Sequence, residues 1–181
     1  MSNATSDPAS GVRAAADRLV AELADADDDL ESARERVAAV GEAELAELAD
    51  AYDDLTDLFD RYEEDVTGDG EFKTFIEFQE RVAKFIEELP EDVRHREVFE
   101  DVDDLLQQRR LTESDWTQVR ERLAPVREDG DRLDSRAAAR ERYSDARYDI
   151  ERRLDDLADR IADLERLQRL GDADLDAPTE R

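Results

Sequence analysis

The segment VRAAADRLVAELADADDDLESARERVAAV, residues 12–40, sets apolar side chains at Val12, Ala16, Leu19, Leu23, Ala26, Leu30, Ala33, Val37 and Val40. The intervals alternate between four and three without a miss, the heptad repeat of a helix that buries one narrow seam. Alanine at several seam positions lets a partner helix approach closely. Upstream, Asp7 and Pro8 form a start signal, an N-cap followed by proline in the first turn.

A second seam follows at Leu45, Leu48, Tyr52, Leu55, Phe59, Tyr62 and Val66. It runs one residue out of phase with the first, and Gly41 lies between them. Either Gly41 caps one helix and the chain turns, or one long helix absorbs a skip residue there. After the turn at 67–70 comes a wider stripe, Phe72, Phe75, Ile76, Phe78, Val82, Phe85, Ile86 and Leu89, as a bundle core requires. Leu89-Pro90 ends that helix, and Pro90-Glu91-Asp92 is expected to open a fourth, which carries Phe99, Val102, Leu105 and Leu106 and ends near Arg110. Thr112-Glu113-Ser114-Asp115 resembles a capping box with Asp in the usual Glu place. It opens a fifth helix with Trp116, Val119 and Leu123. Pro125 should kink or end that helix, and Asp129-Gly130-Asp131 is a second expected break. A last helix is expected from about Leu133 to Leu170, with Ile150, Leu154, Leu157, Ile161 and Leu164 on its seam, Arg147 falling between Tyr143 and Ile150, and Gly171 as its stop.

These signals describe an all-α fold. The economical arrangement is a pair of long antiparallel coiled-coil arms, 8–66 and 112–170, with a helical hairpin or bundle head, about six helices in all. The rival is a compact six-helix bundle. Residues 10–170 read as a single helical domain with its head at about 67–111, between flexible tails at 1–9 and 171–181.

Of the 181 residues, 44% are charged, and the balance of 26 basic against 53 acidic residues gives −27. The acids are 30 Asp and 23 Glu; the bases are 24 Arg and only Lys73 and Lys84. Asp is the poorer helix former, so helix propensity did not select it. Molar salt would: at about 1 M the Debye length is roughly 3 Å, and acidic self-repulsion is screened. A salt-accumulating cytoplasm is the expected setting, and there net charge says little about partners. The chain has no cysteine, which excludes disulfides, thiolate metal sites and a cysteine nucleophile. It has no apolar run near the ~20 residues of a membrane span and no signal-peptide pattern, so a soluble cytoplasmic protein is expected.

Asp65, Thr67, Asp69 and the carbonyl of Glu71, with Gly70, match the first positions of an EF-hand calcium loop. The bidentate Glu of position 12 is missing, because Ile76 stands there, so a site built on these residues would be weak. The single histidine, His95, lies between two arginines and is expected on a helix surface. One histidine excludes a di-iron bundle site, and no nucleophile elbow accompanies it. Arg109, Arg110, Arg152 and Arg153 form the densest basic spots and are the candidates for phosphate contact. Phe72, Phe75, Phe78, Phe85, Phe99 and Trp116 mark the head as a candidate interaction surface, although helical spacing favours them as core.

The stretches ADAYDDLTDLFDRY (49–62), EFQE (77–80) and ELPEDVRHRE (88–97) resemble a family of uncharacterised haloarchaeal coiled-coil proteins. The resemblance covers residues 12–170 and implies a fold type and a compartment, with no activity, cofactor or site residues attached. The generic heptads also look like the arms of chromosome-maintenance ATPases, but no Gly-x-x-x-x-Gly-Lys-Ser/Thr motif is present. With no catalytic constellation in view, an enzyme is not expected and no cofactor is implied. The expected role is a scaffold or interaction protein that binds a protein partner or itself through its helical seams. The alternatives are a nucleic-acid-associated accessory protein and a weak calcium-binding helical protein.

The salt reading has a direct consequence. Helical circular dichroism should fall as KCl is lowered below about 1 M, because unscreened carboxylates repel. Unchanged ellipticity and melting temperature at about 50 mM salt would refute it.

Overall fold

The computed structural model describes residues 8–68 and 71–175. Among these the chain forms five helices: α1 (Pro8–Ala38), α2 (Glu42–Val66), α3 (Phe72–Glu88), α4 (Arg96–Leu106) and α5 (Glu113–Leu175). The fold is all-α; the sole extended pairing described is an isolated bridge between Thr67 and Leu111. No described helix is long and apolar enough to cross a membrane. The expected tails at 1–9 and 171–181 fall largely outside the described residues.

The helix count is five, not about six, because two expected breaks do not occur. α5 runs through Pro125 and Gly130, and it also continues past Gly171, its expected stop. Proline removes one backbone donor, but Leu123 and Val126 on either side are buried, and this packing holds the helix through the lost bond. Gly130 is a point of close approach: a Cβ there would lie 3.5 Å from the Cα and Cβ of Ala49. Of the two readings of Gly41, the turn holds. Its φ is +116°, a conformation that favours glycine, and its N–H donates to the Val37 carbonyl at 2.8 Å. Segment 8–66 is therefore two helices. The expected capping box at the start of α5 forms in full. The Thr112 N–H donates to Asp115 Oδ2 at 2.8 Å, and the Asp115 N–H returns to Thr112 Oγ1 at 3.4 Å.

α4 is shorter at both ends than the sequence implied. It opens at Arg96, not near Pro90, because the Arg96 guanidinium turns back onto the end of α3. There its Nη1 donates to the carbonyls of Leu89 at 2.8 Å and Pro90 at 2.9 Å. It closes at Leu106, where the Gln79 amide donates to the Leu106 and Gln108 carbonyls at 2.8 and 3.0 Å. Those side chains satisfy helix-end carbonyls that would otherwise need another turn of helix or water.

The described chain divides into two compact units. One spans Ser32–Ala138 and holds α2, α3, α4, the last turns of α1 and the first part of α5. Its core gathers Leu48, Leu55 and Phe59 of α2, Phe75, Phe78, Val82 and Ile86 of α3, Phe99, Val102 and Leu106 of α4, and Trp116, Val119, Leu123 and Val126 of α5. Tyr52 and Tyr62, on the seam read for α2, pack half-buried against it.

The other unit comprises residues up to Glu31 and from Ala139 onward. Here Asp29 pairs with Arg142 at 3.3 Å. From that pair the half-buried stripe of α1 runs back through Ala26, Leu23, Leu19 and Ala16 to Val12. That of α5 runs forward from buried Ala139 through Tyr143, Ala146, Ile150 and Arg153 to Leu157. The two helices of this unit are thus antiparallel. The α5 stripe departs from the seam read in the sequence by one residue. Ala146 and Arg153 take the inward positions, while Arg147 faces solvent and pairs with Glu151 at 2.9 Å. Arg153 lays its aliphatic stem along the seam.

Two glycine substitutions should move stability in opposite directions. Gly130→Ala adds a methyl at ordinary contact distance and removes the mid-helix glycine cost, a gain of about 0.5–1 kcal/mol. Gly41→Ala forces a side chain into positive φ, a loss of about 1–3 kcal/mol. Thermal melts at fixed salt should show roughly 2–4 °C per kcal/mol, upward for the first and downward for the second.

Candidate functional site

The aromatic residues proposed as an interaction surface are placed by the heptad geometry of α2, α3 and α5. Phe78 lies 6.4 Å from Phe59, 5.8 Å from Tyr62 and 5.8 Å from Trp116, ring centre to ring centre. Phe59 and Trp116 meet edge to face at 5.2 Å. Phe75, Phe78, Phe99 and Trp116 are buried, and Phe85 is half-buried against Phe99. These five are therefore not offered to a partner: they fill the space that the helices of the Ser32–Ala138 unit close around. Phe72 alone of the six is exposed.

The calcium-like loop is only partly described. Asp69 lies outside the described residues. Asp65 is exposed in the last turn of α2, and Glu71 is the residue before α3. The Thr67 hydroxyl is already engaged: it donates to the Glu63 carbonyl and accepts the Trp116 indole N–H at 2.8 Å. Among the described residues no group of three His, Asp or Glu is placed to hold a metal ion.

Arg109 and Arg110 line a cavity of about 90 Å³ with Val66, Gly68, Phe72 and Phe75. Arg152 and Arg153 belong to the other unit, Arg152 exposed and Arg153 on the α1–α5 seam. Two further hollows open on the Ser32–Ala138 unit. One, of about 540 Å³, is edged by Asp101, Asp104, Glu121 and Arg122, and an Asp101–Arg122 pair at 2.7 Å spans it. The second, about 270 Å³, lies over Tyr52, Phe59 and Leu123, with Glu63 and Arg120 paired at its edge.

The most constrained polar group is one the sequence reading passed over. Asp129 is the only buried charged side chain among the described residues, 5% exposed. It continues the spacing of Val119, Leu123 and Val126, which is the signal that could have found it. Arg94 Nε donates to its Oδ2 at 2.6 Å, His95 Nε2 donates to the same oxygen at 2.9 Å, and Arg132 pairs with Oδ1. Arg132 also donates to the Arg36 carbonyl at 3.3 Å, near the end of α1, and Glu44 approaches Arg94 at 3.8 Å. His95 is thus not a surface helix residue. It precedes α4 in the left-handed conformation, φ 61° and ψ 27°, and its ring is turned onto Asp129. Burial alone would raise the Asp129 carboxyl. The hydrogen bonds from Arg94 and His95 and the charges of Arg132 and Arg94 outweigh it and hold the group below its ordinary value. A carboxylate with both oxygens engaged by cations and donors is an anchor.

A second feature lies on the far part of α5. Leu154, Ile161, Leu164, Leu167 and Leu170 are between 57% and 64% exposed. The half-buried stripe stops at Leu157, and the apolar sequence continues beyond it.

Comparison with family models matches residues 23–181 to a domain of unknown function, DUF7118, and the chain belongs to that family. No curated protein and no solved structure matches.

Asp129→Asn should keep the shape of the anchor and lose its charge, at a cost of about 2 kcal/mol, or roughly 4–8 °C in melting temperature near pH 7. A carboxyl depressed below its ordinary 3.8 contributes stability that is whole above that pH and is lost as pH falls through the depressed value. The gap between wild type and variant should therefore close below pH 3.8. A gap of the same size in acid would contradict the assignment.

Proposed function

We propose that this DUF7118 member is a non-catalytic helical interaction protein, and that the part of α5 beyond Leu157 is the surface it presents. The observation behind this reading is Leu154, Ile161 and Leu164, which fall at helical spacing on one face of α5 and are each more than half open to solvent. Contiguous apolar exposure of this kind marks interaction sites, whereas scattered single residues do not. The acidic, lysine-poor composition supports a cytoplasm of molar salt as its setting, where apolar contacts are favoured over screened ionic ones.

The nucleic-acid reading has less support. Arg94, Arg120, Arg122, Arg132, Arg136 and Arg142 are each paired with a carboxylate, and the phosphate candidates Arg109 and Arg110 belong to one unit while Arg152 and Arg153 belong to the other.

Affinity capture from native extract in high KCl tests the proposal when it is run beside the Ile161→Glu, Leu164→Glu double variant. A specific binder, this chain itself included, should be enriched at least tenfold on the wild type and lost on the variant. Equal recovery on both proteins would end this reading of the α5 surface.

A further inference from the structure

We propose that the far stretch of α5 is occupied by the same stretch of a second copy of this chain, parallel and in register, forming a short two-stranded coiled coil. This rests on the preceding reading of the surface and names its partner.

Two stripes run along this part of α5, and they differ in phase. Pairing with α1 uses Tyr143, Ala146, Ile150, Arg153 and Leu157. The second stripe is Leu154, Leu157, Ile161 and Leu164, continued by Gln168; Leu154, Ile161 and Leu164 are exposed, and half-buried Leu157 is shared with the first. Leu154 is exposed although it precedes Leu157, so α1 leaves this second stripe uncovered even where the helices run side by side. Spacing of three and four puts Leu154, Ile161 and Gln168 at a positions and Leu157 and Leu164 at d. A β-branched Ile at a with Leu at d favours two parallel strands, and one polar a residue fixes register.

The flanking charges choose the orientation. Arg153 and Arg160 fall at g, and Glu151 and Glu165 fall at e. In a parallel dimer g faces the e position of the next heptad on the other chain, so Arg160 meets the Glu165 of the second copy, twice by symmetry. An antiparallel pair would set g against g and e against e, arginine on arginine and glutamate on glutamate. Neither Arg160 nor the Glu165 carboxylate has an ion pair among the described residues, so both are available. The stripe spans about two heptads, short of the roughly 1,200 Å² of buried surface that marks a stable interface, so association is concentration-dependent. Each copy carries −27, so screening by salt strengthens it.

Sedimentation equilibrium of the full chain in ~3 M KCl tests the proposal. The mass should rise from 20.7 kDa toward twice that between micromolar and hundreds of micromolar protein. It should stay at the monomer value for the Ile161→Glu, Leu164→Glu variant, whose circular dichroism should match wild type because both positions are exposed. The chain has no cysteine, so Gln168→Cys supplies one reporter: mild oxidation should link most of the protein as a disulfide dimer. A wild-type chain that stays monomeric throughout overturns the second-copy proposal. If extract capture still finds a partner that the double variant loses, the broader reading stands; if it finds none, both fall. A dimer insensitive to the double variant, or one that Gln168→Cys does not cross-link, also overturns the proposal.

Discussion

The carboxylate of Asp129 is where the Ser32–Ala138 unit is tied together. It lies on the inward face of α5, takes donors from the connection that precedes α4, and shares Arg132 with the end of α1. A lone charge at such depth would be costly; with three cationic or donor groups around it the group stays ionised and directional. Apolar packing alone would let α5 slide or rotate against α2 by a turn. An ion with two oxygens and three assigned partners permits one register. The left-handed backbone at His95 follows from this constraint: the chain must turn sharply there to aim both Arg94 and His95 at one oxygen.

Much of this was legible in the residues. The heptads of α1, the capping box at Thr112 and the aromatic composition of the core could all be read because each depends on spacing within a few turns. The breaks at Pro125 and Gly130 were misread for the same reason. Both are local helix breakers, and what overrides them is packing against residues far away in the chain, Ala49 above all. The displaced start of α4 belongs with them, since nothing near Pro90 announces that Arg96 will reach back to cap α3. Asp129 was hidden by abundance. In a chain with 30 aspartates no single one stands out, and only its place on an otherwise apolar spacing marks it.

The preference for arginine over lysine has a structural counterpart. Arg96 reaches three carbonyls and a carboxylate at once, and Arg132 bridges a carboxylate and a carbonyl. A planar fork of five donors can do this and a single ammonium cannot. At these places one side chain holds two elements together.

The Thr67–Leu111 bridge, where the Gly68 N–H meets the Leu111 carbonyl at 3.0 Å, has a consequence for how the chain reaches this state. Outward from it the cross-chain contacts are nested like brackets: Glu63 with Arg120, Ala49 with Gly130, Glu42 with Arg136. Closing the outermost pair from an open coil would mean ordering a loop of nearly a hundred residues at once. Closed from the inside, each pair spans only the few residues added since the last one formed, and the entropy of loop closure is met in small instalments. A fold with partners so distant in sequence can therefore assemble at the pace of a chain with local contacts, zipping from the α3–α4 hairpin toward its ends.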